Sequence, residues 1–110
     1  MAIAKPLEID ESRDGERGRL TLTGELDIAT APRLEEAVTA MVGAGVKRLV
    51  IDLRPMSFMD SSGLRLFIVL CDRARADGWT LELIRPLSPA LTIFQITRAE
   101  ENLPFVEDAS

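Results

Sequence analysis

The sequence predicts an α/β fold: a mixed, mostly parallel sheet of four to five strands with three or more helices. Three observations lead to this prediction. Two short segments near the start alternate apolar and polar residues, and amphipathic helical patterns follow them. An apolar run rich in β-branched residues lies between two of these helices. Because strands and helices then alternate, right-handed crossovers place the later strands parallel to one another.

The first two predicted strands form an antiparallel hairpin. Residues 7–10 and 20–23 each alternate apolar and polar side chains, a pattern typical of strands with one buried face. Residues 11–18 between them are polar and contain glycine, so we expect a loop there.

The first predicted helix follows this hairpin. Thr30 is its predicted N-cap, and Pro32 suits the first turn. Gly43 and Gly45 indicate its end. Its apolar positions recur at helical spacing at Leu34, Ala37, Val38, Met41 and Val42.

The central strand and the second helix come next. The run at residues 49–53 predicts a central strand covered on both faces by helices. We expect a loop over 54–60 and a second helix over 61–76, ended by Gly78. The core positions of that helix are predicted at Leu64, Phe67, Ile68 and Cys71. For three further apolar residues, Leu66, Val69 and Leu70, core packing is favoured over contact with a partner.

Residues 79–84 alternate again and predict another strand. Pro86 then breaks the chain before a third helix that is predicted to begin near Ser88. We expect Leu91, Phe94 and Leu87 to dock this helix on the core.

Length and composition predict one domain over residues 1–110 with a core over about 7–106. The chain has 110 residues, 46% of them apolar, which is enough for a single core. Thirteen basic and eighteen acidic residues give a net charge of −5, so nucleic acid and anionic membranes are poor partners. The apolar runs are too short to span a bilayer, and the first residues do not resemble a signal peptide, so a cytoplasmic location is expected.

The residue inventory excludes many classes of enzyme and the usual zinc sites. The chain has no histidine and one cysteine, Cys71, so the commonest general base and the usual zinc ligand sets are missing. Cys71 is expected to be a buried hydrophobic residue in a reducing compartment. The glycine-rich phosphate loops and the G-x-S-x-G motif are also absent from the sequence.

The most informative segment is Asp60-Ser61-Ser62-Gly63-Leu64, where a buried strand is followed by a helix. In open α/β sheets, sites form at this edge. Three interpretations fit the residues themselves: simple helix capping, a serine whose phosphate the helix N-terminus stabilises, and a nucleophilic serine. The last requires a base such as Asp60, a lysine or an arginine-assisted arrangement.

This segment resembles the motif of bacterial STAS-domain anti-sigma factor antagonists, Asp-Ser-Ser/Thr-Gly-Leu. A second segment, Gly24-Glu25-Leu26-Asp27 before Thr30-Ala31-Pro32, is similar to the loop and helix start of the same family. The segments 50–53 and 83–86 also fit in order. The resemblance covers about residues 7–106 and implies a single STAS-like domain.

The resemblance implies partner switching. The unphosphorylated chain would bind an anti-sigma factor that is also a serine kinase, and so release the sigma factor. The kinase would phosphorylate Ser61, and a separate phosphatase would reverse this step. Five further residues are implied as partner-binding: Asp27, Asp60, Ser62, Gly63 and Leu64. No catalytic residue or cofactor of the chain is implied, and its oligomeric state is left open.

Two other functions remain open at this point. One is a constitutive STAS scaffold, or a subunit of a transport or signalling assembly, that is never phosphorylated. The serine at position 61 favours the regulated protein over that scaffold. The other is a small hydrolase.

Arg65 stands where many members of the family have glycine, which puts the identity of the kinase in question.

Overall fold

The computed structural model describes residues 6–87, 90–98 and 101–107. Six strands and three helices lie within these ranges. The strands are β1 (Glu8–Asp14), β2 (Arg17–Leu26), β3 (Arg48–Asp52), β4 (Met56–Met59), β5 (Thr80–Ile84) and β6 (Phe105–Val106). The helices are α1 (Ala31–Gly43), α2 (Ser61–Asp77) and α3 (Leu91–Ile96).

The sheet is mixed and mostly parallel, as predicted. Its strand order is β1-β2-β3-β5-β6, and β4 pairs with the end of β2. Strands β1 and β2 are antiparallel, whereas every other described pair is parallel. The prediction missed the two shortest strands, and the expected loop over 54–60 was wrong because β4 occupies most of it. Strands of four and two residues are too short for periodicity to reveal.

The loop expected over 11–18 was also wrong. The strands continue to Asp14 and Arg17, which pair with each other, and Gly15 and Glu16 alone form the turn. Gly15 has φ +62°, a conformation that glycine adopts without strain. This end of β1 is exposed on both faces, so its pairing depends on backbone hydrogen bonds and leaves no apolar alternation in the sequence.

The three helices of the described ranges all pack on one face of the sheet. The core is formed on that face by alternate residues of the strands, including Leu20, Leu22, Leu49, Ile51 and Leu83, all of which are fully buried. The prediction that helices cover both faces of the central strand was therefore wrong. On the other face, Arg19, Val50 and Glu82 line an open trough.

Helix α2 buries a different stripe from the predicted one. Leu64, Phe67 and Cys71 are buried as predicted, but Ile68 is 46% exposed. The buried positions are Gly63, Leu64, Leu66, Phe67, Leu70, Cys71 and Ala74. Core packing is thus confirmed for Leu66 and Leu70 and wrong for Val69, which is 40% exposed. Periodicity allowed both stripes, and the position of the sheet selects one of them.

The last helix packs through one aromatic residue. Phe94 is fully buried, with its ring centroid 6.2 Å from that of Phe67 and 5.2 Å from that of Phe105. Leu91 is half-buried. The docking role predicted for Leu87 was wrong, because that side chain is 64% exposed in the segment before the helix. The predicted start near Ser88 lies outside the described residues.

None of the helices in the described ranges combines the length and the apolar character that a membrane span requires.

Candidate functional site

Two segments that are far apart in sequence meet where β2 and β4 end. These strands are parallel, and Leu26 pairs with Met59. One residue further, the backbone N–H of Asp60 donates to the carbonyl oxygen of Leu26 at 3.2 Å. Carboxyl ends of parallel strands lie at one edge of a sheet, so Asp27, which begins the loop before α1, and Asp60, which directly precedes α2, lie at that edge.

Asp60 caps helix α2. It has extended backbone angles, and its Oδ1 accepts hydrogen bonds from the N–H groups of Ser62 at 2.9 Å and Gly63 at 3.3 Å. These are two of the donors that a helix start leaves without a backbone partner. The capping interpretation is therefore correct, and it does not exclude another role for the carboxylate.

Asp27 organises the turn into helix α1. Its Oδ1 accepts from the N–H groups of Ala29 at 2.9 Å and Thr30 at 3.0 Å. Thr30 occupies the N-cap position as predicted, although its side chain makes no capping hydrogen bond to the helix. Its hydroxyl instead accepts from the N–H of Asp27 at 2.9 Å and donates to the carbonyl of Glu25 at 3.1 Å. Pro32 lies in the first turn as predicted.

The two serines of the motif differ in accessibility. Ser61 is the first residue of α2 and is exposed, whereas Ser62 is half-buried. A hydroxyl must reach the active site of another protein to be modified by it. Ser61 is therefore the better placed of the two.

Gly63 and Leu64 face inward. A Cβ at position 63 would lie 2.6 Å from Met59 Cγ and 2.9 Å from Leu26 Cδ2, so glycine lets α2 lie directly against the ends of β2 and β4. Leu64 is only 8% exposed. Both residues hold the motif in place, and their predicted contact with a partner stays a prediction.

An apolar groove of about 250 Å³ lies between the starts of α1 and α2. Ser62 and Arg65 border it on the α2 side, and Glu35 borders it on the α1 side. Ile28 also lines it and is 76% exposed. Ile28 was not among the predicted site residues, although an isolated isoleucine directly after a loop aspartate is visible in the sequence.

A second apolar depression, about 340 Å³ in volume, lies between β4 and α3. Phe58 and Ile96 line it and are 45% and 76% exposed. The motif thus has exposed apolar side chains nearby on two sides.

An ionic cluster around the buried Asp52 anchors the chain just before β4. Asp52 is 4% exposed, and its Oδ2 lies 2.7 Å from Nη2 of both Arg19 and Arg54. Its Oδ1 accepts from the backbone N–H and Nε of Arg54, each at 3.0 Å. Burial acts to raise the pKa of Asp52, but the hydrogen bonds and charge of Arg54, together with the hydrogen bond from Arg19, outweigh it and hold that pKa below its usual value.

The sequence predicts no metal site in this chain. Among residues 6–87, 90–98 and 101–107, no group of three or more histidine, cysteine, aspartate or glutamate side chains is arranged to hold a metal ion.

This architecture matches that of a known protein family. A family model described as "Mlab, STAS domain" matches residues 9–107. The chain belongs to the STAS-domain family. This STAS-domain chain is also 37% identical over 62 residues to the anti-sigma-B factor antagonist of Staphylococcus aureus strain NCTC 8325. That match covers 56% of the chain and 57% of the relative, so it spans little more than half of either protein.

Solved structures show the same fold. An anti-sigma factor antagonist from Mycobacterium paratuberculosis superposes with a TM-score of 0.78 at 23% identity, over 97% of this chain and 92% of that one. The anti-sigma factor antagonist SpoIIAA in its unphosphorylated form gives a TM-score of 0.75 at 19% identity, over 94% and 89% of the two chains. The STAS-like α/β fold predicted from the sequence is thereby confirmed.

Proposed function

We propose that this chain is an anti-sigma factor antagonist of the cytoplasm that is regulated at Ser61. Its unphosphorylated form binds an anti-sigma factor with serine kinase activity and so releases a sigma factor. Phosphorylation of Ser61 ends this binding, and a phosphatase restores it. The chain is a protein substrate in this cycle, so the proposal assigns it no catalytic residue, cofactor, nucleic-acid contact or membrane contact.

The observation that carries the proposal is the position of Ser61. Its side chain is exposed at the start of α2 and follows Asp60, at the sheet edge where the loop that begins with Asp27 also lies. The apolar groove with Ile28 lies next to the same helix start. An accessible hydroxyl next to apolar surface supports recognition by a partner protein, because the buried centre of a protein interface is apolar.

Charge explains why one phosphate is sufficient. A phosphoserine carries about −1.5 to −2 charges at neutral pH, and here it would stand among the carboxylates of Asp60 and Asp27. Like charges brought together at an interface cost several kcal/mol, whereas about 1.4 kcal/mol changes an affinity tenfold. Repulsion at the binding surface therefore ends binding without refolding of the chain.

The first test is mass spectrometry of the chain incubated with ATP and lysate of its native host. We expect one added phosphate that maps to Ser61, is lost in Ser61→Ala and persists in Ser62→Ala. An unmodified chain that still captures a stable partner would contradict the switch and support the constitutive scaffold instead.

The second test is calorimetric titration of the captured kinase partner. Ser61→Ala should bind like the wild type, whereas Ser61→Asp should bind at least tenfold more weakly because it adds charge at the interface. Ser12→Asp places the same charge on exposed β1, away from the site, and should leave the affinity unchanged. Equal affinities of Ser61→Asp and wild type would contradict the electrostatic mechanism.

Turnover of simple ester substrates that is lost in Ser61→Ala would favour the hydrolase.

A further inference from the structure

Arg65 lies one helical turn after Ser61 on α2. Residues four apart on a helix are neighbours on its surface. Side chains of an α-helix also tilt toward its N-terminus, so a long side chain at position 65 extends over the turn that contains Ser61. Both residues are exposed, which leaves the guanidinium free to move toward a new group on Ser61.

Arg65 is a basic residue in an otherwise acidic neighbourhood of Ser61. Asp60 precedes the serine, Asp27 belongs to the adjacent loop, and Glu35 stands across the groove from α2. Arg65 is the basic residue among those that line this groove. A phosphate at Ser61 would therefore lie in a largely acidic neighbourhood, with Arg65 as a nearby cation on the same helix.

We propose that Arg65 binds the phosphate of phosphorylated Ser61 within the same helix. This inference rests on the proposed modification of Ser61 and adds a phosphate-binding residue to it. A guanidinium offers two parallel N–H donors to phosphate oxygens. The pair keeps a net negative charge, because one arginine does not neutralise a phosphate dianion.

The pairing has a consequence for the groove. Arg65 borders the groove in the unphosphorylated chain, and binding the phosphate moves its guanidinium toward Ser61. Phosphorylation then changes the partner-binding surface twice: it adds negative charge at Ser61 and withdraws the positive charge of Arg65 from the groove.

The test is a ³¹P NMR titration of the full chain with phosphoserine installed at position 61 by genetic encoding. The second ionisation of a phosphoserine has a pKa near 6. A neighbouring cation favours the dianion, so Arg65→Gln should raise the pKa of this phosphate by about 0.3, the equivalent of a surface pair at this spacing. Arg65→Lys keeps the charge and should retain most of the effect.

Arg75→Gln is the matched control. Arg75 is on the same helix, ten residues further along, where its guanidinium lies 3.8 Å from Asp72. Its substitution should leave the phosphate pKa at the wild-type value.

In about 1 M salt, which shortens the Debye length to roughly 3 Å, the difference in phosphate pKa between wild type and Arg65→Gln should shrink.

Equal phosphate pKa values in wild type and Arg65→Gln, or an equal change in Arg75→Gln, would overturn the inference. Encoded phosphoserine separates this result from the proposed function. Failure to find phosphate on Ser61 in the host would contradict the function, whereas only the titration decides whether Arg65 binds the phosphate.

Discussion

Individual residues of the motif at 60–64 have structural roles that can be tested separately from partner binding. Gly63 lies against the ends of two strands, and Asp60 supplies hydrogen-bond acceptors for the first turn of α2. Ser61 has no comparable place in the packing, since it is exposed. Substitutions at the first two residues should therefore change stability, whereas those at Ser61 should change binding.

Gly63→Ala should destabilise the protein by about 1–3 kcal/mol, the usual cost of overpacking. The added Cβ would be 2.6 Å from Met59 Cγ, so a side chain or the helix must shift. The matched control is Gly43→Ala at the end of α1, where a Cβ meets nothing within 4 Å. Urea denaturation checks both, and equal stability of the two variants would contradict this account of Gly63.

Asp60→Ala should cost about 1 kcal/mol of stability because α2 loses its N-cap. Asp60→Asn keeps an oxygen acceptor and should stay close to wild type in thermal unfolding. In partner titrations, a loss in Asp60→Asn would then report the carboxylate charge rather than the cap. If Asp60→Ala is as stable as wild type, the capping bonds to Ser62 and Gly63 contribute little.

At the scale of elements, the Asp52 cluster fixes the segment that leads from β3 to the motif. Asp52 is the last residue of β3, and Arg54 directs backbone and side-chain donors at its carboxylate. Arg19 of β2 reaches the same carboxylate across the sheet. The cluster thus joins two strands to the chain that continues into β4.

Asp52→Asn should lower stability by about 1 kcal/mol near neutral pH and flatten its acid dependence. The folded pKa of Asp52 lies below its unfolded value, which is about 3.9. Its contribution is therefore complete above that value and is lost as the pH falls through the lower folded pKa. The partial exposure of both arginines keeps the magnitude small.

Denaturation at a series of pH values from about 7 to 3 measures this effect, with Asp72→Asn as control. Asp72 is an exposed aspartate whose side chain is 72% accessible, so the control removes one charge without removing the cluster. Identical acid profiles of wild type and Asp52→Asn would show that the cluster does not stabilise the fold.

For the whole molecule, the core and the proposed switch lie on different sides of α2. Phe67 and Leu70 face the sheet with no measurable exposure, whereas Ser61, Arg65 and Val69 face outward. A change of charge at the start of the helix therefore leaves the packing of the domain intact.

Ser61→Asp should consequently unfold within about 0.5 kcal/mol of wild type, as surface substitutions usually do. Amide chemical shifts should change around the start of α2 and in the adjacent loop that contains Asp27, and should stay constant in β3 and β5. Shift changes spread through those central strands would instead indicate a conformational mechanism for the switch.

The sequence alone determined the α/β class, the order of the main elements and the position of the motif. These features depend on local patterns: the alternation in β2, the helical spacing of Leu34 and Val38, and the strand before Asp60. Periodicity and helix-start residues can be recognised in the sequence, because each reflects the environment of a single helix or strand.

Tertiary structure decided what depends on pairs of distant segments. It selected the buried stripe of α2 and left Ile68 exposed, and it placed the described helices on one face of the sheet. It formed β4 and β6 by pairing them with longer strands. It also placed Ile28 beside Ser62 at one groove and brought Leu26 to Asp60. No local pattern encodes these contacts, since each depends on where the rest of the chain packs.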